Sequence, residues 1–323
     1  MGALTMAVEA STPLFGIIMR STGRWYNVRL PDGRIVQATL KGKMRLSNHH
    51  ATNPVCVGDR VSLICQNSDY LIADVHERTN CIVRQAARDQ ATIQLLAANL
   101  DQAVLLVTTA HPRTSLGFID RFLAVATAYH VPALLAFNKT DLYNENLMHL
   151  AQQWKQLYEA AGYSTLFISA RTGAHLDVLR EKLKQKTTML AGHSGVGKST
   201  LINALIPDLN LKTAPLSGFH NKGRHTTSYA EMFELPFSGF IVDTPGIKEL
   251  GIFSLKPHEV SHYFPEMKTF LSQCRFNTCL HLQEPGCAVR QAVSEGRIGV
   301  SRYESYCSII HELQTDEPVY GRE

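Results

Sequence analysis

Gly192-His193-Ser194-Gly195-Val196-Gly197-Lys198-Ser199 follows the apolar run Thr187–Ala191 and precedes a helix-patterned stretch, Thr200–Ile206. Strand, glycine-rich turn and helix in that order make a phosphate-binding loop. The glycines let backbone N–H groups close around an anion, and the helix opening at Gly197 adds its N-terminal dipole. Lys198 can reach the β and γ oxygens of a nucleoside triphosphate, and the Ser199 hydroxyl can ligate Mg²⁺. The whole run from Gly192 through Thr200 is therefore expected to hold a nucleotide, with Lys198 also acting on the transferred charge. A glycine-rich turn with an incidental lysine is the competing reading, and the flanking elements weigh against it.

Three further stretches complete a nucleotide site. Asp243-Thr244-Pro245-Gly246 stands at the end of a strand, Gly239–Val242. Asp243 can hold Mg²⁺ through a water, and the Gly246 N–H can meet a γ-phosphate. Asn138-Lys139-Thr140-Asp141 follows another buried run, Ala133–Phe137. Guanine presents two donors side by side that the Asp141 carboxylate can accept, whereas adenine would leave that carboxylate unsatisfied. Lys139 would lie along the base and Asn138 would tether the loops. Ser169-Ala170-Arg171 follows a third strand, Ser164–Ile168, and offers the Ala170 N–H to the guanine carbonyl.

These motifs resemble those of the translation-factor-like GTPases, with their order changed. The Asn-Lys-Thr-Asp motif at 138 and Ser169-Ala170-Arg171 precede the phosphate loop at 192 and the Asp-Thr-Pro-Gly motif at 243. Together with the regions on either side, that circular permutation resembles the RsgA/YjeQ family over nearly the whole chain. The resemblance implies a GTPase dependent on the small ribosomal subunit and assisting its late maturation.

A switch loop is expected at Gly223-Arg224-His225-Thr226-Thr227. A threonine there, Thr227 with Thr226 as the alternative, would complete the Mg²⁺ shell only while the γ-phosphate is present. Ile247 occupies the position of a water-orienting glutamine. An aliphatic side chain cannot orient water, so His225 is the leading candidate for that role, with Arg224 and His193 as alternatives.

Cys274, Cys279, His281 and Cys287 offer three thiolates and one imidazole within fourteen residues. Soft sulfur plus nitrogen in a closed set of four favours one structural, tetrahedral Zn²⁺. Among the seven cysteines, Cys56, Cys65 and Cys81 read as reduced core thiols, and Cys307 as helix packing.

Composition sets the frame. Hydrophobic residues at 45% and charged residues at 19% exclude a disordered or fibrous chain. Runs such as Ala103–Ala110 are too short to span a bilayer, so no membrane role is expected. Residues 1–90 carry 11 Lys/Arg against 7 Asp/Glu, while 91–323 carry 21 of each, so the entire +4 excess is N-terminal. Seven of those eleven lie between Arg20 and Arg45, which suits a polyanion. Five short strands there (Phe15–Arg20, Arg24–Leu30, Arg34–Thr39, Arg60–Cys65, Tyr70–Val75), separated by turn signals, suit an OB-fold β-barrel. From about Thr92 strands alternate with helices, as in a doubly wound α/β domain.

The expectation is therefore a multidomain chain. An OB-fold RNA-binding domain would span 1–88, a circularly permuted P-loop GTPase domain 89–256, and a helical zinc-binding domain 257–323. It would hydrolyse GTP to GDP as a cytoplasmic monomer bound to the small ribosomal subunit and its rRNA. A non-enzymatic RNA-binding scaffold with a structural nucleotide site is the alternative.

Overall fold

The computed structural model describes residues 13–42, 53–66, 69–86, 89–209, 211, 230–244 and 255–315. Its first unit is a five-stranded barrel made of β1 (Leu14–Ser21), β2 (Tyr26–Arg29), β3 (Ile35–Leu40), β4 (Arg60–Gln66) and β5 (Asp69–Val75). The ring closes in the order β1-β2-β3-β5-β4-β1, and only the β3–β5 pair is parallel. Alternate residues point inward, as strand geometry requires. Ile18, Tyr26, Val28, Leu30, Ala38, Val61, Leu63 and Ile72 fill the interior. At the turn between β2 and β3, Gly33 takes a left-handed φ of 90° and Asp32 accepts the Arg34 N–H at 3.0 Å.

A hairpin of β6 (Cys81–Ala86) and β7 (Asp89–Ala98) follows, so the expected boundary at residue 88 lies between two paired strands. It is tied to the barrel by a bridge from Val57 to Ala97 and by the buried Asp59. Asp59 takes two bonds from Arg78, at 2.6 and 2.8 Å. Cys56 is buried there and Cys81 half-buried, but Cys65 is exposed, contrary to its reading as a core thiol. Cys65 shares the inward parity of Val61 and Leu63, but it lies at the exposed end of β4, beyond the closed part of the barrel.

The second unit is an α/β sandwich. Its strands are β8 (Gln102–Val107), β9 (Ala133–Phe137), β10 (Ser164–Phe167), β11 (Thr187–Ala191), β12 (Glu231–Glu234) and β13 (Phe240–Asp243). They lie in the order β10-β9-β8-β11-β13-β12, all parallel except the edge strand β12. Helices α1 (Leu116–Ala128) and α2 (Glu145–Ala160) cover one face; α3 (Leu176–Leu183) and α4 (Lys198–Leu205) cover the other. β8 is buried along its entire length, as a central parallel strand must be. The connections diverge between β8 and β11, and ligands bind at such a switch point, beyond the strands' carboxyl ends.

The C-terminal region is helical: a 3₁₀ segment (Pro257–Tyr263), α5 (Pro265–Leu271), α6 (Ala288–Ser294) and α7 (Val300–Thr315). It shares one apolar core with α1 and α2, through Val260, Phe264, Met267, Tyr306, Ile309 and Ile310. Inside that core lies Arg302, 1% exposed. It bonds Asp120 of α1 at 2.8 Å and Glu266 of α5 at 2.7 and 3.1 Å. The rings of Phe264, Tyr163 and Tyr158 surround its guanidinium.

Candidate nucleotide site and metal centre

The phosphate loop leaves β11 with three glycines at positive φ: 142° at Gly192, 82° at Gly195 and 101° at Gly197. Two of them are also sterically obligatory. A Cβ on Gly192 would stand 2.7 Å from the Leu106 carbonyl, and one on Gly197 would stand 2.5 Å from Asn138 Nδ2. Lys198 opens α4 and folds back over the loop, donating to the carbonyls of Gly192 (2.6 Å) and His193 (3.1 Å). Ser199 and Thr200 occupy the same first turn. The His193 ring packs on Phe118 of α1, with centroids 3.7 Å apart, which fixes its direction.

Asn138, 1% exposed, ties the base side to the phosphate side. Its Nδ2 donates to Val196 O at 2.8 Å, and its Oδ1 accepts the Ala170 N–H at 2.9 Å. The tether expected of Asn138 is thus present, and the Ala170 N–H serves it instead of facing outward. The cause is burial: an enclosed amide oxygen must find a donor. Lys139 adopts a left-handed φ of 65° and reaches back to the His111 carbonyl. Burial pushes its ammonium pKa down, and the Asp141 charge opposes that shift. Asp141 is exposed and accepts the Ser169 hydroxyl at 2.6 Å. Thr140 anchors the turn through its hydroxyl to Ile168 O at 3.0 Å. Sequence reasoning missed Tyr143, whose hydroxyl donates to Asn138 O (2.9 Å) and accepts from the Thr109 N–H (3.1 Å). Its only signal was its place two residues after Asp141.

Asp243 ends β13, in register with Leu190 of β11 and Glu231 of β12. Burial raises its carboxyl pKa; Lys198 opposes the shift and Glu231 adds to it. Asp243 is half-buried and feels the Lys198 charge, and its carboxylate and the Ser199 hydroxyl are oxygen donors of the kind Mg²⁺ takes. Arg224, His225, Thr226, Thr227, Gly246 and Ile247 lie outside the described residues.

In the C-terminal region the donor atoms of Cys274, Cys279, His281 and Cys287 all fall within 4.8 Å of one another. His281 Nδ1 stands 3.5 Å from Cys274 Sγ and 3.4 Å from Cys287 Sγ. Tetrahedral Zn–S and Zn–N bonds imply an S···N edge of about 3.6 Å, so the donors fit. Burial pushes the Cys279 thiol up to about 12 and raises Cys287, a cost that a bound dication removes by taking thiolates. The frame around them is built by hydrogen bonds. Glu284 accepts the N–H groups of Leu280, Leu282 and Gln283, and Tyr303 and Tyr306 donate to the carbonyls of His281 and Leu280.

The described motif residues 138–141, 169–171, 192–199 and 243–244 follow the carboxyl ends of parallel strands, and the four metal donors form one cluster. Known proteins are similar to this chain over most of their length. A Small ribosomal subunit biogenesis GTPase RsgA of Bacteroides fragilis is 48% identical over 300 residues, covering 93% of this chain and 97% of the relative. One from Flavobacterium psychrophilum is 43% identical over 309 residues, covering 94% of each. The crystal structure of YjeQ from Thermotoga maritima superposes with a TM-score of 0.78 at 34% identity, over 94% of this chain and 99% of that one. That of YloQ, a circularly permuted GTPase, gives 0.73 at 28%, over 97% and 99%. The family model for the RsgA N-terminal domain matches residues 15–70, and that for the RsgA GTPase matches residues 75–253. The chain belongs to the RsgA GTPase family.

Proposed function

We propose that this GTPase hydrolyses GTP to GDP and phosphate by in-line attack of water, that the small ribosomal subunit stimulates it, and that it assists late maturation of that subunit. The observation that carries this reading is Asn138. One buried side chain bonds both the phosphate loop and the Ser169-Ala170 loop, so triphosphate and base are gripped as a unit.

In this mechanism Asp141 accepts the guanine donors, Lys139 lies along the base, and Ser169 holds the carboxylate by donating to it. The loop amides from Gly192 to Lys198 receive the phosphates. Lys198 exchanges its two loop carbonyls for the β and γ oxygens. Ser199, Asp243 and Thr227 would hold Mg²⁺, which would supply charge neutralisation to the phosphates. Gly246 meets the γ-phosphate and His225 orients the water. Arg224 and His193, whose ring packs on Phe118, are the alternatives. Cys274, Cys279, His281 and Cys287 would hold zinc as a structural staple.

The barrel fits RNA. Arg20 lies on β1, Arg24 and Arg34 lie in the turns before and after β2, and Arg24 sits over the half-exposed ring of Trp25. Cations beside an exposed aromatic suit phosphates and stacked bases. Among the described residues no helix is long and apolar enough to cross a membrane. The proposed setting is a cytoplasmic monomer bound to the small subunit and its rRNA.

Phosphate release with and without small subunits tests the reading. Alone, turnover is expected at about 10⁻⁴ to 10⁻² s⁻¹, the range of unassisted GTPases. Subunits should raise it, and His225→Ala should remove most of the stimulation while GTP binding stays near normal. Undiminished stimulation would transfer the water-orienting role to Arg224 or to a ribosomal group. Tight GTP binding without phosphate release under either condition would make the chain a scaffold.

Asp141→Asn is expected to weaken GTP at least about fivefold, because an amide cannot accept both guanine donors and one polar pairing lost is worth about 1–3 kcal/mol. Titration with a fluorescent guanine nucleotide measures this. Unchanged affinity, with tight ATP binding by the parent, would overturn the guanine assignment.

A further inference from the structure

A single register pair joins the barrel to the α/β sheet: Arg20 of β1 opposite Glu231 of β12. Their side chains form an ion pair at 3.7 Å, Arg20 being 45% and Glu231 29% exposed. Glu231 is also the register partner of Asp243 on its other side. Directly opposed residues of an antiparallel pair present their side chains to the same face about 5 Å apart. Glu231 therefore stands between a cation on the barrel and the carboxylate assigned to Mg²⁺.

The neighbouring pair behaves differently. Arg29 holds Glu234 bidentately, at 2.8 and 2.7 Å, with its guanidinium over Phe240. Its side chain is 22% exposed. This pair can hold the seam while Arg20, bound by one long contact and half open to solvent, is drawn away.

We propose that Arg20 and Glu231 form a relay by which an RNA phosphate on the barrel tightens Mg²⁺ at the nucleotide site. While Arg20 neutralises Glu231, Asp243 is effectively the lone acid of that pair. An RNA phosphate that recruits Arg20 leaves Glu231 without its counter-ion, and two adjacent carboxylates favour a dication more than one does. Linkage makes the effect reciprocal, so Mg²⁺-nucleotide tightens RNA by the same factor. The inference rests on the barrel's reading as an RNA surface.

The test is a free-Mg²⁺ titration of fluorescent GDP binding to the full chain, with and without a saturating short single-stranded RNA. For the parent, RNA should lower the half-saturating Mg²⁺ about two- to fivefold, the range of a half-exposed ion pair. R20M should show the lowered value with no RNA present and respond little to RNA. E231Q should bind RNA but show no RNA-dependent shift. R29M, which loosens the seam without touching Glu231, should keep the shift. The exchanged pair R20E/E231R should be insensitive to RNA. An R20M half-point equal to the parent's, or a full RNA response in E231Q, overturns the relay. If the RNA does not bind the parent, the RNA reading of the barrel fails instead, and the R20M half-point alone judges the ion pair's influence on Mg²⁺.

Discussion

Arg302→Met should cost about 3–5 kcal/mol of stability, the usual penalty for removing one partner of a buried ion group. Asp120 and Glu266 would be left facing an apolar side chain where the guanidinium now bonds both. Urea unfolding followed by intrinsic fluorescence measures the loss. The deficit should depend on pH in a definite sense. Burial already raises the Asp120 carboxyl pKa against the pull of Arg302, and removing the arginine raises it further. A group whose folded pKa is raised stabilises the fold when protonated and loses that contribution as pH rises. The deficit should therefore be largest at neutral pH and shrink as pH falls into the acid range. Adding Asp120→Asn to Arg302→Met should recover part of it. A cost below about 1 kcal/mol would mean the network contributes only what a surface pair does.

The second large effect concerns the metal centre. The purified chain should carry about one zinc, and Cys287→Ser should lose it, since a structural site with three of four ligands no longer closes. Metal binding to such sites is itself folding free energy, about 10–16 kcal/mol for isolated zinc-finger peptides. Residues 274–287 should then become cleavable by protease. Guanine-nucleotide binding should weaken far less, because the phosphate loop rests on β11 and α4. Metal analysis, limited proteolysis and nucleotide titration together check this. Full zinc content in the variant would show that Cys287 is not a ligand.

Much of this fold is legible in local pattern. Ala133–Phe137 and Leu176–Leu183 are found where the pattern puts them, because an apolar run after a turn and an amphipathic stretch carry their own signals. The hairpin β6–β7 carries no such signal. Among its described side chains the buried ones are Ile82, Leu96, Ala97 and Ala98, three of them consecutive, and Arg84 and Gln94 pair across the strands, so the described stretch shows no in-out alternation. Arg302 is harder still. An arginine in a helical stretch reads as solvated, and what buries it is Asp120, 182 residues away. The glycine-rich turn after β11 was legible because positive φ at Gly192, Gly195 and Gly197 is a local requirement. The Ala170 N–H was misdirected because its partner, the buried Asn138 amide, is set by how two loops pack.

The apolar core on the α1–α2 face is shared by regions that the sequence divides into three. It takes in Met19 of the barrel, Ile82 and Leu96 of the hairpin, Phe118, Phe122 and Val125 of α1, and Phe264 and Ile310 of the C-terminal helices. Cutting the chain before residue 257 would strip the cover from α1 and present a wide apolar surface to water, the kind that drives aggregation. Dissection by domain is thus a poor route to this protein. The barrel, whose own interior is closed, is the piece most fit to be handled alone, whereas the catalytic unit has to be kept with the helices that follow it.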